Sequence, residues 1–459
     1  MARCFFIIIM QAIKKHEVNM TTAPIFKGLL KIAIPIMVMN VLQSIFNFID
    51  QTMLGHFVGD VGVGSVGACS TLITLITGLL IGIATGSNVI VARHIAKGDS
   101  ERVEKAIGTS IIFSIVGGIV LMLIGLVFAR TFLTWMNTPA NRMEGAVIYF
   151  RLYFLGCPIL LLYNFCASIL RSAGDSKRPM YFLTLGGIVK ILVNFLFLKF
   201  TNFTVQGVAI ATIVSWAIAG GLCFFVLLKG KGTVKFKWSR FRFYGEELKA
   251  ILHIGIPTGI QSATFAFANV MIASTVNKFG DHATDGVSIA NTFDGIIYQI
   301  AYAPSLAVMP FISQNVSVNN AKRVKETLYK GCLITIMFAV IAGSLSAIFS
   351  EQLSSLMSQT PEVIAYSKQK MIIISSTYVL CGLQDVFAAS LRGLGKPVIP
   401  TVSSLIFLFV LRFVWVYAFF PLCPNLTFLY LSWPIGWVLN IVALAPAFIY
   451  FFKKLKANK

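Results

Sequence analysis

The sequence predicts an all-α integral membrane protein, with twelve transmembrane helices in two pseudo-symmetric six-helix lobes. Three observations predict it. Hydrophobic residues make up 57% of the 459 and charged residues only 12%, a balance that excludes a soluble globular chain. Apolar runs of about 20 residues, each long enough to cross a bilayer, recur at 32–54, 64–91, 107–129, 147–169, 180–199, 207–228, 253–276, 286–311, 331–349, 371–391, 400–420 and 427–452. The second half also repeats the first. A shift of about 222 residues carries Ile34-Pro35 onto Ile256-Pro257, Asn47 onto Asn269, Arg102-Val103 onto Arg323-Val324, Thr138-Pro139 onto Thr360-Pro361 and Lys190 onto Arg412.

Each copy holds six spans, an even number, so the two share one orientation and are related by an axis along the membrane normal. The expected organisation is an N-terminal tail (1–24), a first lobe (25–228), a basic linker (229–252), a second lobe (253–452) and a short tail (453–459). Two such lobes facing one another should enclose a central cavity, and lobe rocking is then a natural route to alternating access.

The formal net charge of +21 first suggests nucleic acid, but its distribution excludes that partner. The termini and the loops after spans 2, 4, 6, 8 and 10 carry 29 of the 38 Lys and Arg, the opposite loops and span ends 7, and Lys190 and Arg412 lie within spans. This positive-inside asymmetry puts both termini in the cytoplasm of a multi-pass inner-membrane protein.

Taken in order, the tail opens with a short apolar run, Phe5 to Met10, and lysines 14 and 15. It is too short for a signal-peptide core and no small-residue cleavage site follows. Met20 would also serve as a start, so residues 1–19 need not belong to the working protein. Span 1 carries Pro35 and then Asn40, Gln43, Asn47 and Asp50 at steps of three or four, one face of a helix. Asp50 sits among Ile45, Phe46, Phe48, Ile49, Met53 and Leu54, where an unpaired carboxylate costs several kcal/mol; an intramembrane acid is a functional candidate by default. Span 2 has Gly78, Gly82 and Gly86, a small-residue stripe for close helix packing. Span 5 puts Lys190 and Asn194 one turn apart, Lys190 being the candidate partner of Asp50, and span 6 offers Thr212.

In the second half the position matching Asp50 is Ile272, and span 7 keeps Thr258, Gln261 and Asn269. Its acids stand elsewhere: Asp294 in span 8 near Asn291, Tyr298 and Tyr302, and Asp385 in span 10 beside Gln384, with Arg412 of span 11 expected as their counter-ion. The eight cysteines (Cys4, Cys69, Cys157, Cys166, Cys223, Cys332, Cys381, Cys423) form no CxxC, and the five histidines have no ligand spacing, so neither a metal site nor a disulfide framework is expected. No Walker-type loop or nucleophile elbow appears, which disfavours ATP-driven transport and an intramembrane enzyme.

The proline of span 1 with Phe48-Ile49-Asp50-Gln51-Thr52-Met53-Leu54-Gly55, the sequence Leu-Arg-x-x-Gly-x-x-x-x-Pro from Leu170 and again from Leu391, and Gly207-x-Ala-x-Ala-Thr212 together resemble the multidrug and toxic compound extrusion (MATE) family of the multidrug/oligosaccharidyl-lipid/polysaccharide exporter superfamily. The resemblance covers residues 25 to 452. It implies an antiporter exporting organic, often cationic or amphipathic, compounds in exchange for protons or sodium. The family's span-1 aspartate matches Asp50, its bending proline Pro35 and its span-6 threonine Thr212. Where the family's proton- or sodium-linked branch usually carries, in span 5, an asparagine and, four residues on, an aspartate or asparagine, this chain has Lys190 and Asn194. An ammonium there supplies no lone pair for sodium. The acids of the other branch match Phe265 and Cys381, so the pattern is closer to the DinF-like branch.

The expectation is therefore proton coupling at Asp50, tuned by Lys190, Asn194 and Thr212, with sodium less favoured, Pro35 as hinge and a monomer working on small molecules in the bilayer. The substrate cavity is expected to draw on Asn40, Gln43, Asn47, Gln261, Asn269, Asn291, Asp294, Tyr298, Gln384, Asp385 and Arg412. The alternative is a flippase for a lipid-linked sugar or other anionic amphiphile.

Overall fold

The computed structural model describes residues 17–136, 138–229 and 233–457, so most of the predicted N-terminal tail and the last two residues lie outside the described residues. In chain order the helices are α1 (Ile25–Val58), α2 (Asp60–Lys97), α3 (Ser100–Trp135), α4 (Ala140–Leu155), α5 (Cys157–Ser172), α6 (Lys177–Phe200), α7 (Val205–Lys229), α8 (Gly245–Val276), α9 (Asp281–Ser317), α10 (Ala321–Ile348), α11 (Ser350–Ser355), α12 (Pro361–Gly393), α13 (Val398–Ser404), α14 (Leu411–Val414), α15 (Leu426–Tyr430) and α16 (Ser432–Ala457). Among the described residues, eleven helices are long and apolar enough to cross a membrane, and the bent pair α4–α5 makes a twelfth. The all-α expectation holds, and helices are one of the two structures that can satisfy their own backbone groups in a bilayer.

Two spans depart from single helices. The run at 147–169 is not continuous: α4 and α5 meet at Gly156 with a bend of 46°. Pro158 lies in the first turn of α5 and has no N–H to give the preceding turn, while Gly118 of α3 lets the backbone come in, since a Cβ there would lie 2.4 Å from the Pro158 Cα. Span 11 is irregular: α13 passes into a π-helical turn (Leu405–Val410), then α14, then a second π-helical turn (Trp415–Phe419).

The chain packs as two compact units. Among the described residues, one comprises 17–19 and Leu42–Gly259, the other Met20–Val41 and 260–457. The packing units thus differ from the sequence repeats at the first helix of each, because the N-terminal halves of α1 and α8 pack with the other repeat. Side chains at repeat-equivalent positions hold both ends. In the second unit Arg323 donates to the carbonyls of Ala23 (2.6 Å) and Met20 (3.1 Å), and Asn315 donates to Met20 (3.0 Å). In the first, their counterparts Arg102 and His94 meet Glu246 (3.2 Å) and Glu247 (2.9 Å) at the start of α8.

Glycines set how closely α8 approaches α2. A Cβ at Gly82 would lie 2.5 Å from the Gly259 Cα, and one at Gly86 2.2 Å from the Ile251 carbonyl oxygen. Gly86→Val is therefore expected to lower stability by about 3 kcal/mol or more, since backbone cannot yield as a side chain does. A melting temperature in detergent equal to wild type would contradict this. The segment expected as a plain basic linker is also docked. Lys237 pairs with Glu104, Arg240 with Glu101 (3.3 Å), and Gly108 admits the Arg240 carbonyl.

Candidate functional site

The first unit brings the tail of the span-1 polar face against α6. Gly187 makes this possible, for a Cβ there would overlap the Phe46 ring. One turn on, the Lys190 ammonium pairs with Asp50 Oδ2, and four residues further Asn194 Nδ2 donates to Asp50 Oδ1 at 3.0 Å. Both carboxylate oxygens are thus held from one helix. Asp50, Lys190 and Asn194 are all buried. Coulomb attraction in so buried a setting offsets the desolvation of both charges only while the pair is intact; removing one partner costs about 3–5 kcal/mol.

This pair borders a cavity of about 260 Å³. Gln43, Asn47, Asp50, Lys190 and Thr212 supply its polar wall, and Phe46, Tyr149, Tyr153 and Trp216 its aromatic one. The Thr212 hydroxyl donates to the Val208 carbonyl (2.8 Å) within its own helix. The three tyrosine and tryptophan side chains were not anticipated. They come from α4 and α7, and nothing in their spacing separates them from packing aromatics; Tyr153 meets Trp216 edge to face at 4.9 Å. Asn40 and Pro35 belong instead to the second unit, and α1 runs through Pro35 without a break.

In the second unit the expected counter-ion is corrected. Arg412 does not pair with Asp294 or Asp385. Lys370 does the first task, donating to Asp294 Oδ2 (2.8 Å) and to Asn291. It was missed because the apolar run starts at 371, which left Lys370 outside the span. The usable signal was Thr360-Pro361, since proline favours the first turn of a helix and so places residue 370 well inside α12. Asp385 forms no ion pair among the described residues and its Oδ2 has no hydrogen-bond partner, while Arg392 donates to Gln261. Gln261 continues to Ser404 (2.8 Å), and Asn440 donates to Gln384 (2.8 Å) and pairs with Ser403. Gln261 and Gln384 are thus engaged in buried polar networks. Tyr298 stacks on Tyr302 with ring centroids 5.4 Å apart, and Arg412 donates to Asn269 (3.3 Å).

Comparison with known proteins follows the same repeat. The family model MatE matches twice, over residues 35–196 and 257–418. Among curated relatives, the "Probable multidrug resistance protein YoeA" of Bacillus subtilis is 28% identical over 380 residues, covering 81% of this chain and 82% of its own. The "FAD transporter" of Shewanella oneidensis is 23% identical over 404 residues, 85% of this chain and 87% of its own. A solved structure described as the outward-facing conformation of a multidrug resistance MATE family transporter superimposes with a TM-score of 0.88 at 20% identity, covering 97% of this chain and 99% of that one. At that identity the likeness concerns the fold.

Proposed function

This chain belongs to the MatE family of membrane transporters, and we propose that it is a secondary antiporter exporting organic, often cationic or amphipathic, compounds in exchange for protons. The observation that carries the reading is the Asp50 carboxylate, held by Lys190 and Asn194 at the edge of an aromatic-lined cavity. Protonating Asp50 removes its charge and frees Lys190; a substrate cation competes with Lys190 for the ionised acid. The two occupants exclude one another, which is the requirement of exchange. Pro35, which takes one donor out of α1, lets that helix bend between states.

The Lys190 ammonium stands where a sodium ion would need an oxygen ligand, so protons are the preferred coupling ion. In this reading the protein works as a monomer in the inner membrane, and the charge asymmetry of the loops supports cytoplasmic termini. Export of a fluorescent organic cation from proteoliposomes is expected under an imposed proton gradient and not under a sodium gradient. Sodium-driven export would refute the assignment of the coupling ion. A second reading, flipping or export of an anionic amphiphile, is favoured by the buried cations Lys190 and Arg412 and by the relative named as an FAD transporter. Substrate charge separates the two.

A further inference from the structure

Lys190 and Arg412 occupy equivalent places in the two repeats, but only Lys190 has an acid to meet. The residue matching Asp50 is Ile272, itself buried. Arg412 is 1% exposed, yet its guanidinium makes one hydrogen bond, from Nη1 to the neutral Asn269 (3.3 Å), and Nε has no partner among the described residues. The group lies 4.8 Å from the centroid of the Trp433 ring. Of the buried acids of this unit, Asp294 is held by Lys370, and Asp385 forms no ion pair with Arg412 among the described residues.

The helix bearing Arg412 is widened by π-helical turns on both sides, a distortion frequent at functional sites. Asn269, the one side chain that the guanidinium holds, is exposed, so the group stands one residue from an open face of α8.

We propose that Arg412 is the recognition group of an oxyanion site in the second unit, receiving the carboxylate or phosphate of an aromatic or amphipathic ligand. A planar guanidinium matches such a group with two parallel hydrogen bonds, from Nε and a terminal nitrogen. Trp433 then packs against the apolar body of the ligand. The site is built from residues of the second unit alone and needs neither proton coupling nor export to exist. It bears on substrate class, because it would admit compounds whose acidic group the Asp50 carboxylate repels.

The test uses the purified full chain in detergent, titrated with phenyl phosphate and with benzoate at constant ionic strength. Tryptophan emission is read because Trp433 lies against Arg412, and equilibrium dialysis of the labelled probe is the second readout. Saturable binding of at least one probe is expected, weakened at least tenfold in Arg412→Gln and less in Arg412→Lys, which keeps the charge without the fork. The emission change, but not the dialysis signal, disappears in Trp433→Phe. Displacement of phenyl phosphate by phosphatidylglycerol in the micelle identifies a lipid headgroup as the source of the oxyanion; no displacement identifies a soluble ligand. The proposal is overturned if wild type binds neither probe saturably, or if Arg412→Lys, or a folded Arg412→Gln, binds as wild type does. Cation export measured in parallel bears on the antiport reading alone.

Discussion

Asp50→Asn is expected to reduce proton-driven export to the level of protein-free liposomes. Asparagine preserves the size of the side chain and can still meet Asn194, but it cannot take up and release a proton within the cycle. The substitution also leaves the Lys190 ammonium buried without its carboxylate, at a cost of about 3–5 kcal/mol, so a lost activity could reflect a lost fold. The double change Asp50→Asn with Lys190→Met separates the two causes. Removing both charges replaces an ion pair by a neutral one in a buried site, which is often neutral or stabilising. The double variant should therefore recover the wild-type melting temperature while export stays absent. If it recovers export, or if Asp50→Asn alone retains it, Asp50 is not the coupling acid.

The second large effect is expected at Lys190. In Lys190→Asn the ammonium is replaced by a side chain with a carbonyl oxygen, and the neighbourhood then offers oxygens from Asp50, from Asn194, whose Oδ1 is buried and unpartnered, and from the new amide. Thr212 lines the same cavity. Such a set suits a hard monovalent cation, whereas in the wild type the fixed ammonium already neutralises the acid. Sodium should then raise the melting temperature of Lys190→Asn and stimulate its export, while leaving wild type unaffected. Raising sodium at constant ionic strength gives the direct reading, because a ligand that binds only the folded state stabilises it by mass action. A variant indifferent to sodium, with proton-driven export unchanged, would mean that Lys190 has no part in ion choice.

The two predictions rest on a site that the sequence largely disclosed. Asn40, Gln43, Asn47 and Asp50 recur at helical steps, and Lys190 and Asn194 stand four apart, so each set must share a face whatever the tertiary structure does. A carboxylate and an ammonium in apolar spans must also find each other or bear the cost of desolvation, which makes their pairing an expectation from the sequence alone. The repeat was legible for the same reason: prolines, caps and small residues recur where the backbone needs them, as Asp99 and Asn320 do in capping α3 and α10.

What the sequence by itself determined is therefore the membrane class, the spans and their repeat, and the faces that carry polar groups. Local periodicity and bilayer thickness dictate these without reference to neighbours. The tertiary structure alone decided which faces meet. It gave Asp294 to Lys370 and, among the described residues, left Arg412 with a neutral amide and an indole, although composition and spacing made Arg412 the better counter-ion. It seated the first halves of α1 and α8 in the other repeat's unit, and brought Tyr149, Tyr153 and Trp216 to the Asp50 cavity. Such pairings depend on how closely two backbones approach, and that is set by contacts like Gly187 on Phe46 and Gly82 on Gly259. A glycine in sequence says that close approach is allowed; only the packed helices say to what.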